Sequence, residues 1–419
     1  MPASEEPRLA RGFSFSEPGE SRLALLLGIP LGLLYVLGML ALRGCMPLTD
    51  EADHHAQITL LLRGRHELWP TLTTIPGYHV ATALLARITG DGSLDAARWI
   101  NAGYGLLAIA GFHALRRRIW PGTQSWATAQ FMLLPVLAPL FFVVYTDVLA
   151  LALLLWAAWA AVAGRIWASA LLMALLVGVR QHEVVWLGLV VPLAGMQQDA
   201  SEDRRGGPAR ALSPFLLPLA GFFAFWLWNG SISLSTEQAA LHPDFGLHGG
   251  NIGCALLVAG LLLPLHVLAG MRRYLAPWRA QPWRVLLPFV LALAFWFGFQ
   301  ADNPYNTVFP DYYLHNRLVQ LIQPPALPRA CAAVAFALAA CGLAQYALRP
   351  RAALALWPVA ALFLAGSWLV ELRYAMVPLV MWLALRAPAA RRIEYATLAL
   401  WALLAVLLCH AVATHRLFL

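Results

Sequence analysis

The sequence predicts an all-α, polytopic membrane protein of about thirteen spans, with interfacial helices in its first external loop. Three observations predict it. Of the 419 residues, 60% are hydrophobic and 12% charged, with a mean hydropathy of +0.66. A soluble domain has no interior large enough to hide that much apolar surface. The apolar runs continue for ~18–22 residues without strand-like alternation, so helices rather than a closed barrel satisfy the backbone in lipid. Finally, arginines gather at one end of the runs, whereas most acids, histidines and amides gather at the other. Positively charged loops stay inside, which orients the chain.

Each element follows from that orientation. Span 1 covers about 23–42, with Arg8, Arg11 and Arg22 before it. Residues 1–22 read as a cytoplasmic tail whose polar, acidic start is unlike a cleavable signal peptide; 23–419 reads as one domain. The first external loop, 43–95, carries two amphipathic stretches, about 52–64 and 76–89, too polar to cross. Span 2 (about 97–115) returns to Arg116-Arg117-Arg118; spans 3 and 4 (about 125–143 and 146–163) form a hairpin ending at Arg165. Residues 166–197 read as a shallow hairpin whose polar tip is Arg180-Gln181-His182-Glu183, followed by a cytosolic loop at 198–211. Spans 7 to 13 begin near 212, 250, 285, 328, 352, 375 and 395, their inner ends marked by Arg272 and Arg273, Arg349 and Arg351, and Arg391 and Arg392.

The net charge of +8 does not point to nucleic acid, because the basic residues are divided among short loops. All 29 are arginine, a compositional hint of a GC-rich bacterial genome. Cys45, Cys254, Cys331, Cys341 and Cys409 form no CxxC pair and read as small hydrophobes. His113 and His266, in the cytoplasmic half, read as packing residues. Neither a GxxxxGK[ST] nor a GxGxxG motif occurs, and no internal repeat of the transporter type is visible.

The chemistry-bearing residues stand on the outer face. Asp50 and Glu51 follow span 1, where interfacial acids are functional by default and a carboxylate can take a proton from an attacking hydroxyl. His54 lies one turn on. An Asp50–His54 pair is under-coordinated for a metal, so no metal site is assigned and metal dependence stays open. Thr73-Thr74-Ile75-Pro76-Gly77 reads as a helix start with amides open to anions. Tyr145-Thr146-Asp147 and Arg180-Gln181 interrupt apolar stretches, and buried polar groups of that kind need partners or a water-filled cavity. Asp302, Asn303, His315, Arg317, Glu371, Arg373 and Tyr374 meet the same face. The arginines suit bidentate phosphate contacts, or structural pairing with Glu371 and Glu183.

In order along the chain, these words resemble a known family, the eukaryotic dolichyl-phosphate-glucose α-1,2-glucosyltransferases, terminal glucosyltransferases of lipid-linked oligosaccharide synthesis. Asp50-Glu51, His54, Gln57 and Thr73–Tyr78 resemble its "MDE-x-F-H…Q…ITT-P-PGLY" opening. Tyr145-Thr146-Asp147 is similar to "YYTD", Arg180-Gln181 with Val185-Trp186 to "RQTNI-x-W", and Asn229-Gly230 leading to His242 to "NGG…H". Ala301-Asp302-Asn303 with His315-Asn316-Arg317 looks like a split "ADNRHY", and Glu371-Leu372-Arg373-Tyr374 looks like "EFRY". Ile75 replaces a family proline, Thr49 replaces a methionine, and the split word carries an insertion.

The resemblance implies a GT-C membrane glycosyltransferase that moves a hexose, by resemblance glucose in α-1,2 linkage, from a polyprenyl-phosphate donor to a lipid-linked glycan on the non-cytosolic face. It implies an inverting displacement, no separate cofactor, and membrane lipids but no nucleic acid as partners. Asp50 is then the expected general base, with Glu51 and His54 orienting. Arg373, Arg317 and His315 hold the donor phosphate, and Thr74, Asp147, Arg180, Gln181, Asp302, Asn303, Glu371 and Tyr374 line the substrate site. The expected setting is the bacterial inner membrane, with undecaprenyl phosphate as carrier and the site facing the periplasm, or the endoplasmic reticulum lumen in a eukaryote. The competing class is a non-enzymatic flippase of lipid-linked sugars, which needs polar residues deep in the spans and on both faces.

Overall fold

The computed structural model describes residues 18–199, 212–239, 243–244, 246–323 and 326–419. Residues 1–17 of the expected tail, the arginines Arg204, Arg205 and Arg210, and His242 lie outside the described residues. Helices dominate, and among the described residues the only strand-like pairings are two isolated bridges. The order begins α1 (Pro18–Ala41), α2 (Glu51–Leu62), α3 (Gly77–Thr89), α4 (Leu94–Ile119), α5 (Gln124–Leu133), α6 (Thr146–Val162), α7 (Ile166–Val179) and α8 (Leu187–Asp199). The longer helices after it are Leu216–Asn229, Gly250–Leu262, Pro264–Leu275, Trp283–Gly298, Ala326–Leu343, Leu356–Ala365, Met376–Leu385 and Arg391–Ala413.

At the centre stands α6, with thirteen of its seventeen residues buried. Six of these, from Ala150 to Ala161, are alanines, and small side chains let neighbouring helix backbones approach where lipid supplies no hydrophobic drive. α4 and α7 take those places beside it. α2 and α3 form where the two amphipathic stretches are expected. α3 starts at Gly77, where an added Cβ would strike the carbonyl oxygen of Gly178 near the end of α7. That close approach brings the Thr73–Pro76 segment against the polar tip at Arg180.

The described residues do not carry the expected thirteen spans as continuous apolar helices. Among the described residues, Ala326–Leu343 and Arg391–Ala413 are long and apolar enough to cross a membrane alone. Gly250–Leu262 and Pro264–Leu275 qualify together but bend by 100° at their break. The remaining apolar helices are shorter. Proline explains several differences: Pro264 opens the second half of the bent pair, and the expected span 3 stops after Leu133, before Pro135 and Pro139. A broken helix is tolerated at membrane depth where protein covers it, and residues 134–144 are all buried. The protein is thus an all-helical integral membrane protein whose apolar segments are often interrupted.

The cysteines divide: Cys254 and Cys341 are buried, whereas Cys331 is exposed rather than packed as expected.

Candidate active site

A cavity of about 910 Å³ lies where the separated polar words of the sequence meet. Its wall includes Asp50, His54, Thr74, Tyr145, Arg180, Gln181, His315, Glu371, Arg373 and Tyr374, with Phe222, Leu247, Val308, Leu362 and Phe363 supplying apolar surface.

Asp50 directly precedes α2. Its side chain makes no capping hydrogen bond, so the carboxylate is not spent on the helix end. Its backbone N–H donates to the Tyr145 hydroxyl (3.1 Å), and the same hydroxyl is hydrogen-bonded to Thr49 Oγ1. Thr49 has φ +45°, a conformation a β-branched residue adopts only when its surroundings impose it. Arg373 Nη2 stands 3.5 Å from Asp50 Oδ2, bridging 323 residues of chain. Arg373 also donates through Nη2 to Glu371 Oε1 (2.9 Å), and its guanidinium lies 5.5 Å from the centre of the Tyr145 ring.

The two carboxylates beside Arg373 titrate apart. Asp50 is open to the cavity but surrounded by protein. Desolvation raises its pKa, against the opposing pull of Arg373. Glu371 is also desolvated, but the charge and hydrogen bonds of Arg373 outweigh that and hold its pKa below the ordinary value. Carboxyls pushed in opposite directions suit different roles, one trading a proton and the other staying an anion. Burial, helped by Arg373, pushes His54 down to about 4, so it is neutral at pH 7. It meets His79, with His54 Nδ1 3.0 Å from His79 Nε2.

Across the cavity, Arg180 Nη1 pairs with Asp147 Oδ1 at 2.7 Å and donates to Thr146 Oγ1 at 3.2 Å. Burial pushes the nearby Glu183 carboxyl up to about 7, and Asp147, at 2.7 Å against 3.6 Å for Glu183, is the closer counter-charge of Arg180. Thr74 Oγ1 and Asp147 Oδ2 are buried without a protein hydrogen-bond partner. Such atoms carry a desolvation cost that a polar ligand can remove.

Several expected residues stand elsewhere. Glu51 does not face the cavity. It is fully buried and takes two hydrogen bonds from Arg98 (2.9 and 2.6 Å) and one each from the Leu48 and Val144 N–H groups (both 2.9 Å). Arg98 also donates to the carbonyls of Leu42, Cys45 and Met46. This knot joins the end of α1, the start of α2 and α4, and so fixes where Asp50 sits. Glu51 is a structural anchor. Arg317 is exposed, outside the cavity wall, and paired with exposed Asp311 at 3.3 Å. Asn303 is buried and accepts from the Tyr305 N–H, capping the 3₁₀ turn Pro304–Thr307. Asp302 is exposed outside the wall, where it accepts a hydrogen bond from the Trp368 indole (2.7 Å). Gln181 reaches the wall, but its amide clasps Thr73 O, Ile232 O and the Ile75 N–H (2.8, 2.5 and 3.0 Å). His315 lines the cavity with Nδ1 3.0 Å from the carbonyl of Leu419.

Sequence reasoning left out four wall residues of evident use: Tyr145, Asp53, Asp244 and Trp368. Tyr145 was within sight, beside Thr146-Asp147 in one of the words. Asp53 accepts from the Trp69 indole and the Thr71 hydroxyl, and Asp244 from Trp226, Ser231 and the Ile232 N–H. No local pattern announces either of them or Trp368.

Residues 45–210 match the profile of the DIE2/ALG10 family. This stretch contains Asp50, His54, Thr74, Tyr145 and Arg180. This segment, rather than the whole chain, is similar to the DIE2/ALG10 family. The chain is also similar to the Dol-P-Glc:Glc(2)Man(9)GlcNAc(2)-PP-Dol alpha-1,2-glucosyltransferase of Candida glabrata, at 26% identity over 248 residues. That alignment takes in 51% of this chain and 47% of the relative, so the chain spans about half the length of the curated relative it matches. No solved structure matches. Within the matched segment, the cavity wall draws on four separated sequence words, and Arg373 and Glu371 join from beyond it.

Proposed function

We propose that the chain is a GT-C glycosyltransferase that moves glucose from a polyprenyl-phosphate donor to a lipid-linked oligosaccharide on the non-cytosolic face of the membrane. The observation that carries this reading is the meeting of Asp50 and Arg373 at one wall of a large, partly apolar cavity. The chain's interrupted helices are assigned to about thirteen membrane passages.

The chemistry is one inverting displacement. The acceptor hydroxyl attacks the anomeric carbon, the bond from that carbon to the phosphate oxygen breaks, and the hydroxyl proton passes to Asp50. Charge grows on the departing phosphate, which Arg373 stabilises, and polyprenyl phosphate is the second product. At rest Arg373 faces Asp50, so a bound donor phosphate competes for the guanidinium and leaves the carboxylate available as a base. Glu371 stays ionised and holds Arg373 in place. Neutral His54, backed by His79, fixes the orientation of the acceptor. Thr74 and Arg180 hold the transferred sugar by its hydroxyls, with Asp147 behind the wall holding Arg180, and His315 and Tyr374 close the site around the phosphate. The prenyl chain lies along the apolar part of the wall, past Phe222, Leu362 and Phe363.

The direct test supplies purified chain in detergent with dolichyl-phosphate glucose and a lipid-linked oligosaccharide acceptor, and follows the oligosaccharide by mass spectrometry. The expected product is heavier by one hexose and vanishes with Asp50→Asn. Movement of intact lipid-linked sugar across a bilayer without bond formation is the result that replaces this reading with a flippase.

A further inference from the structure

Trp368 has a position that the displacement chemistry does not use. It borders the cavity and is half-buried. Its indole N–H is held by the Asp302 carboxylate at 2.7 Å, and Asp302 itself is exposed. The His248 ring lies 6.0 Å from it at an interplanar angle of 24°. His248 is outside the cavity wall, and its backbone N–H is fixed to the Ala365 carbonyl at 2.8 Å. The imidazole therefore backs the indole from behind. An aromatic ring locked at its edge and supported on one side is a rigid plate. The exposed carboxylate at its edge places that plate at the cavity's aqueous mouth. Tyr305 and Phe309, both largely exposed, border the cavity as well.

Rigid, exposed aromatic faces bind pyranose rings, whose axial C–H bonds pack on the π surface while their hydroxyls stay in water. The aqueous mouth is also the side from which a polar glycan enters, because a prenyl donor requires the apolar wall. We infer that Trp368 is the stacking platform for the terminal sugar of the acceptor glycan, and that Asp302 is a positioning residue that holds the platform in place. This inference rests on the glycosyltransferase reading above and names how that same site takes its acceptor. It also gives Asp302 a role that its place outside the cavity wall otherwise leaves without account.

The test measures steady-state kinetics separately for the two substrates, dolichyl-phosphate glucose and a glucose-terminated lipid-linked oligosaccharide. Trp368→Ala is expected to raise the acceptor KM by about tenfold while the donor KM stays unchanged, and Trp368→Tyr is expected to restore most of the loss. Asp302→Leu, which frees the indole edge, should follow Trp368→Ala, and it also serves if the alanine variant does not fold. Asp302→Asn keeps an oxygen acceptor and should stay near wild type. An unchanged acceptor KM in Trp368→Ala and Asp302→Leu, or an equal rise in donor KM, overturns the inference. If the wild-type chain transfers no glucose, the functional reading fails. Saturation-transfer NMR of the free glucose-terminated oligosaccharide then decides Trp368 on its own. A transfer signal that disappears in Asp302→Leu supports the platform, and a signal that persists at wild-type strength overturns it.

Discussion

The two ends of α4 make an instructive pair. At one end Arg98 meets Glu51 beside the cavity; eighteen residues on, about 27 Å along the helix, Arg116 lies fully buried at the other. There Arg116 donates to the carbonyls of Leu383, Ala384 and Arg386, while Arg386 grips Glu394 through both nitrogens at 2.7 Å. Gln130 and His266 complete that cluster, the latter 3.3 Å from Glu394. By charge alone the two regions look alike. The difference lies in what surrounds them. The Arg386–Glu394 cluster is sealed among helices and turns its groups on one another. Near Arg98, the neighbouring Asp50, Arg373 and Thr74 keep atoms directed at open space. Buried charge therefore marks a structural clamp as often as a site, and a bordering cavity separates the two.

Asp50→Asn should divide the two regions most decisively. The loss of a general base is expected to lower kcat by ~10²–10⁴-fold with the protein still folded and donor-bound, as read by transfer assay and thermal unfolding. Turnover close to wild type would remove Asp50 from the chemistry. Arg373→Ala is next, with kcat/KM expected to fall by about 10²–10³-fold and donor binding to weaken; unchanged donor affinity would contradict the phosphate role. At the sealed end, Glu394→Gln should act on stability instead, by about 3–5 kcal/mol, because it leaves two buried guanidinium groups without their anion. A folded Glu394→Gln protein should keep its donor and acceptor KM values, and a selective change in either would show that the far cluster is coupled to the site.

The pH profile offers a finer test. Asp50 must be ionised to act, and its pKa is raised by desolvation, so activity should fall as pH drops through a value above the usual carboxylate range. Arg373 opposes that rise, so in Arg373→Lys, where the paired guanidinium is lost, the acid limb should move if the geometry rather than the charge alone sets the balance. His54, already neutral down to about 4, should add no inflection near its ordinary value. The smallest effect is expected from Arg317→Ala, within about twofold of wild type, because exposed pairs such as Arg317–Asp311 contribute little.

The helical, membrane-embedded class was legible in the sequence because composition and arginine placement report on the whole chain. The two helices of the first external loop and the polar tip at Arg180 were legible for the same reason, each being a local departure from its surroundings. The breaks in the helices were not, because a proline within an apolar run looks continuous to hydropathy although it divides the helix. Asp50 and Arg373 stood out as charged residues at the ends of apolar runs. What the sequence could not supply was their partners. Glu51 is as acidic as its neighbour, and only Arg98, 47 residues further on, makes it an anchor. Gln181 and Asn303 belong to words resembling a family pattern, yet their amides are engaged by backbone, which no spacing rule reveals. Trp368 looks in the sequence like any other aromatic among apolar residues, and only the Asp302 carboxylate at its edge sets it apart.

Thr49 sets endurance against activity. Its left-handed backbone is one that glycine accepts freely, whereas a threonine there bears about 1–3 kcal/mol of strain. A glycine at this position would relax the turn but lose the hydroxyl that meets Tyr145. Robustness and turnover should therefore move in opposite directions, so the sturdiest version of this chain is expected not to be its most active one.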